Sequence, residues 1–159
     1  MIPELLGYSL VFRSTHGLFH RALDGITPEK ALEQSNGSNP ILWIAGHIVT
    51  VRSSFMRVIG GSVDVPWAGH FRRGDEVKNL DQWPSLAEVH AKWDEVHSAF
   101  MVQLKTVTSA QLAALTEAPG LDKTVLGTLG LAALHDSYHV GQLAAAVWVG
   151  TDCGLNLIL

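Results

Sequence analysis

VLGTLGLAALHDSYHVGQLAAAVWV, residues 125–149, is the stretch whose reading decides the fold. It is an apolar run broken in its middle by His135, Asp136, His139 and Gln142. On a helix, His135 and His139 project from one face with Cβ atoms about 5–6 Å apart, so both imidazoles can reach one metal ion. As a membrane span the run would carry Asp136 at its centre, at a cost of about 2.5–3.5 kcal/mol on the insertion scale. It also lacks basic anchors at its ends. It therefore reads as the buried helix of a soluble bundle, and such a helix needs partners for two imidazoles and an amide.

The totals narrow the rest. A chain of 159 residues is the size of one domain and long enough to bury a core, which predicts a single domain over residues 1–159. It is 47% hydrophobic and only 16% charged, with a mean hydropathy of +0.20. So little charged surface suggests an apolar exterior covered by a second copy of the chain. The net charge of -4, with no basic run longer than Arg72-Arg73, argues against nucleic acid as a partner. Cys153 is the single cysteine, which excludes an internal disulfide and a cysteine-based zinc cluster. No signal peptide is evident after Met1, so the expected location is cytoplasmic, with no membrane partner.

Helical spacing recurs along the chain. Leu5, Tyr8, Phe12, Phe19 and Leu23 predict a first helix from about Pro3 to Leu23, stopped by Asp24-Gly25. His16 and His20 lie on or beside its apolar face. Thr27-Pro28-Glu29 signals a short helix to Leu32, and a loop at 35–40 follows. Asn39 as N-cap and Pro40 at the first helical position then start a second long helix, which runs to about Ile59 before Gly60-Gly61. Ile44, Ile48, Val51, Phe55 and Val58 give its apolar face, and His47 points inward with them.

From Gly61 to Pro84 no period is sustained, and a connection this long is usually functional or a crossover. Ser85 with Glu88 makes a capping box for a third helix to about Thr106, with Leu86, Val89, Trp93, Val96, Phe100 and Leu104 as its stripe. A short helix is expected at 109–115, and the last helix at about Thr128 to Val149. Four long helical patterns without a convincing strand pair predict an all-α four-helix bundle, with a long connection between helices two and three.

His47 on a facing helix is the natural third partner for His135 and His139, since bundle-core metal sites form where inward side chains converge. Three neutral imidazoles with an open position suit zinc, nickel or another divalent first-row ion. Gln142 falls three residues after His139, where it can hydrogen-bond a ligand or the open position. The spacing alone leaves a second reading open, in which the imidazoles are merely hydrogen-bonded. The chain holds another pair of identical spacing, His16 and His20, whose first reading is core packing or hydrogen bonding. His70, Arg72 and Arg73 read as solvated loop residues. Asp136 and Tyr138 point about 100° away from the nearer histidine, toward packing or an interface. Trp43, Trp93 and Trp148 read as core or interface aromatics.

Trp43-Ile44-Ala45-Gly46-His47-Ile48, followed much later by His135-x-x-x-His139-x-Gly141-Gln142, resembles the DinB-like family. Asn39 and Pro40 also match that family's entry into its second helix, so the resemblance covers essentially the whole chain. It implies an up-down-down-up four-helix bundle, a homodimer, and a divalent metal held by His47, His135 and His139. Related members include a mycothiol-dependent maleylpyruvate isomerase and bacillithiol S-transferases. The family name reflects induction by DNA damage and does not imply DNA binding.

Three functions compete. The first is a metal-dependent enzyme, a thiol S-transferase or hydrolase, that activates a low-molecular-weight thiol or water against a small electrophilic substrate. The second is a non-catalytic metal-binding module for stress response or interaction. In the third, a purely structural bundle, the histidines satisfy one another.

Overall fold

A computed structural model describes residues 1–34, 39–74 and 77–149, the last two of these without their side chains. Six α-helices follow in order: α1 (Leu6–Leu23), α2 (Pro28–Leu32), α3 (Ile41–Met56), α4 (Leu86–Leu104), α5 (Ser109–Ala113) and α6 (Val125–Val149). The four long ones pack in a ring, α1 against α6 and α4, and α3 against the same two. The only extended pairing among the described residues is an isolated bridge between Leu115 and Thr124. The all-α reading therefore holds. Positions 35–38 of the loop expected at 35–40, the side chain of Trp148 and the tail at 150–159 with Cys153 lie outside the described residues.

Most helix ends form where the sequence signals them. The Thr27 hydroxyl accepts from the Lys30 amide at 3.3 Å, and Gly60 closes the turn after α3 with φ of 82°. Ser85 and Glu88 make the expected capping box at α4. Two starts differ. Pro40, extended at φ -54° and ψ 152°, is itself the cap residue of α3, and no side chain caps that end. Asn39 is therefore one position too early. The last helix begins at Val125 rather than Thr128, because Thr124 acts as its cap and its hydroxyl accepts from the Gly127 amide at 3.0 Å.

The core stripes follow the period, with Phe12, Phe19, Val89, Trp93, Val96, Phe100 and Leu104 all fully buried. The second long helix is more enclosed than its expected face implied. Along α3 only Val51 and Ser54 escape full burial. Its extra cover comes from the long connection, whose Val65, Phe71 and Trp83 join the core cluster around Trp43, Ile44 and Ile48. Phe71 seats its ring on Gly46, where a Cβ would lie 2.7 Å from the ring carbons. The connection is thus part of the core, and it passes over the helix that carries His47.

Among the described residues no helix is long and apolar enough to cross a membrane.

Candidate metal centre

His47 of α3 meets His135 and His139 of α6, and one ligand atom from each lies within 4.8 Å of the others. The Nε2 atoms of His47 and His135 are 3.2 Å apart. A tetrahedral ion with bonds of 2.0–2.1 Å sets neighbouring ligand nitrogens about 3.3 Å apart, so this separation suits a shared ion.

The outer nitrogen of two of the rings is hydrogen-bonded, and that of the third faces a carboxylate. His47 donates from Nδ1 to the Phe71 carbonyl at 2.7 Å. His139 donates from Nδ1 to Gln142 Oε1 at 2.8 Å. His135 Nδ1 faces Asp136 Oδ1 at 3.5 Å, and both of these buried atoms lack a hydrogen-bond partner among the described residues. A hydrogen on Nδ1 leaves the lone pair on Nε2, the nitrogen turned toward the cluster in His47 and His135. Partners that fix the tautomer in this way are a usual accompaniment of metal-bound histidine.

Surroundings keep two of the rings, His47 and His139, uncharged. Burial pushes His47 below the ordinary imidazole range, against the opposing hydrogen bond to Phe71, and His135 and Arg73 add to the lowering. Burial likewise brings His139 down to about 4, against the hydrogen bond to Gln142 and with His135 and His47 reinforcing it. At neutral pH both are free bases, the form that binds metal. Trp43 stacks on His47 at 4.9 Å and 11°, and Tyr138 meets His139 edge-on at 4.9 Å.

Sequence reasoning singled out the three histidines, which the structure brings together, left Gln142 between two places, of which the structure shows the hydrogen bond to His139, and missed what stands behind His135. Asp136 is fully buried in the bundle, which agrees with its reading as a packing residue and adds a partner that the sequence did not name. Its Oδ2 accepts from Arg52 Nε at 2.7 Å and lies 2.6 Å from Nη2. Arg52, also fully buried, donates from Nη2 to Thr15 at 2.8 Å and from Nη1 to His97 Nδ1 at 3.1 Å. Its guanidinium lies 3.8 Å from the Trp93 ring centroid. One arginine therefore touches side chains from α1, α4 and α6. The available signal was one charge of each sign in the two most apolar helices.

The remaining singled-out residues fall elsewhere. His16 and His20 face Asp94 across the α1–α4 seam, away from the three-histidine cluster. Arg72 and Arg73 are exposed and His70 is half-buried.

Four long helices in a ring, with three histidines brought together between two of them, define a helical-bundle protein with a residue group that could hold a metal ion. Over residues 12–143 the chain matches the model of the DinB superfamily, and it belongs to that family. The crystal structure of a DinB-like protein from Bacillus cereus ATCC 10987 is similar in fold, with a TM-score of 0.69 at 20% identity, covering 94% of this chain and 95% of that one. No curated protein matches the chain.

Proposed function

We propose that His47, His135 and His139 bind one divalent ion, zinc or nickel, and that the protein is a metal-dependent enzyme acting on a small electrophile. The observation that carries this reading is the pair of Nε2 atoms 3.2 Å apart, with Phe71 fixing His47 from behind. An ion there supplies Lewis acidity, which lowers the pKa of a coordinated water to about 7 or keeps a small thiol deprotonated.

The chain's own part is to hold and to shield. Phe71 and Gln142 hold two of the three rings by hydrogen bonds and Asp136 stands behind the third, so little reorganisation accompanies ligation. Three protein ligands leave the fourth position to a nucleophile or substrate, the arrangement of catalytic rather than structural zinc. The partly exposed rings of His135 and His139 give that position a route to solvent. The apolar stripe of Leu6 and Leu10 on α1 and Leu134 and Tyr138 on α6, all more than half exposed, is the face that a second copy of the chain would cover.

The test uses untagged protein reconstituted with Zn2+ or Ni2+, assayed for thiol consumption across epoxides, halides and activated alkenes, and for ester and amide hydrolysis. Turnover that disappears in His139→Ala supports the enzyme. Metal binding without turnover on any substrate leaves the non-catalytic module. An absence of bound metal after reconstitution ends both.

A further inference from the structure

We propose that His16, His20 and Asp94 form a second binding site for a divalent first-row metal ion, on the seam between α1 and α4. This inference is independent of the three-histidine centre and uses none of its residues.

The geometry starts from the helix period. His16 and His20 are four residues apart on α1, so their rings leave the helix side by side, 4.9 Å between centroids. Asp94 rises between them from α4. Its Oδ1 lies 2.8 Å from His16 Nε2 and 2.8 Å from His20 Nε2. Two ring nitrogens and one carboxylate oxygen thus lie within 4.8 Å of one another, as the three histidine nitrogens do.

Two imidazoles and a carboxylate are an established ligand set for zinc and iron. An ion entering here replaces two hydrogen bonds to the carboxylate with two bonds to nitrogen. Neighbouring ligand atoms then sit about 3.3 Å apart, so the carboxylate withdraws by about half an ångström. Asp94 has room to do so, because its side chain is 56% exposed.

The surroundings prepare the rings as they do at the first centre. His20 Nδ1 is 2.9 Å from His90 Nδ1, and the two rings stack at 4.9 Å and 19°. Without an ion, His20 donates from Nε2 to Asp94; with one bound, its hydrogen would sit on Nδ1, donating to His90, and the Nε2 lone pair would face the metal. His16 stacks on His97 at 4.0 Å and 17°, and His97 is itself pinned by Arg52 at 3.1 Å. Four of the chain's eight histidines are therefore gathered on one seam with a single carboxylate. A hydrophobic-core role accounts for none of them, since all four are only partly buried.

The site joins two helices through two partly buried histidines and an exposed carboxylate, so its ion clamps α1 to α4. Binding to the folded state alone raises apparent stability as the ion concentration exceeds its dissociation constant.

The experiment titrates Zn2+ into metal-free, untagged full-length protein, reading stoichiometry by calorimetry and elemental analysis. Wild type is expected to take two ions, and His20→Ala and His139→Ala one each. His90→Gln should weaken the second site by about 10–100-fold, the usual cost of losing a ligand's outer partner. Zn2+ should raise the Tm of His139→Ala and leave that of His20→Ala/His139→Ala unmoved. Asp94→Asn, a conservative change at an exposed position, replaces His20→Ala should that variant fail to fold.

One ion in wild type, lost in His139→Ala and kept in His20→Ala and Asp94→Asn, overturns the second site and leaves the first standing. One ion with the opposite pattern supports the second site and removes the first. No ion in wild type removes both.

Discussion

Arg52 and Asp136, both fully buried, form an ion pair at 2.6 Å in the centre of the bundle. Breaking a buried pair by removing one partner strands a charge and costs about 3–5 kcal/mol, whereas replacing both with apolar groups is often neutral. Arg52→Met and Asp136→Leu should each destabilise by that amount in urea unfolding. The double variant should lose clearly less than the sum, and strict additivity would mean that the pair carries no coupling.

Because Asp136 Oδ1 also faces His135 Nδ1, the same pair stands behind the candidate metal centre. His16 stacks on His97, His97 accepts from Arg52, and Arg52 holds Asp136. A continuous set of contacts therefore runs from one histidine cluster to the other. Asp136→Asn preserves shape while weakening the hold on His135, and should lower metal affinity at the three-histidine centre by about 10–100-fold. Equilibrium dialysis of Zn2+ against the folded variant measures this, and an unchanged affinity would remove Asp136 from the centre.

Gly46 is the reason that Phe71 can reach His47. Adding a Cβ at Gly46 brings it within 2.7 Å of the Phe71 ring, and Phe71 supplies the carbonyl that holds His47 Nδ1. Gly46→Ala should cost about 1–3 kcal/mol through overpacking. It should also weaken metal binding, because the carbonyl moves with the ring. Full affinity alongside reduced stability would separate the two roles.

The metal-free protein should lose stability as pH falls below about 6.5, the value for histidine in an unfolded chain. Burial holds His139 at about 4 in the folded state and His97 at about 3. Between those values and 6.5 the unfolded chain binds more protons, so stability is fully present above 6.5 and is lost as pH falls toward 4 and 3. Tm measured across that range should fall with pH, and His97→Gln, which keeps an acceptor for Arg52, should flatten part of the slope. A flat profile in the wild type would contradict the burial argument.

Leu10 and Leu134 are 63% and 57% exposed on the proposed dimer face. Leu10→Glu/Leu134→Glu should give a folded monomer in sedimentation velocity where the wild type gives a dimer. A wild-type monomer would remove the homodimer from the account.

The helices were legible because their chemistry is local. The period of Val89, Trp93, Val96 and Phe100 and the Ser85–Glu88 box set α4 without reference to the rest of the chain. His47, His135 and His139 were legible because each stands on an apolar helix with no local use for an imidazole. The Phe71 carbonyl was not, since any residue has one and only the path of the long connection brings this one to His47. The partner of Asp136 was not legible, because helical phase relates it to its neighbours on α6 and says nothing of Arg52 on α3. The pairing of His16 and His20 with Asp94 was hidden likewise, because it depends on the register between α1 and α4.

Anomalous scattering from crystals reconstituted with Zn2+, recorded at the zinc edge, tests the central claim most directly. The account expects a peak about 2.0–2.1 Å from a ring nitrogen of each of His47, His135 and His139, with an additional non-protein ligand. Saturating Zn2+ that leaves no peak there, with the three imidazoles hydrogen-bonded to one another, would contradict it.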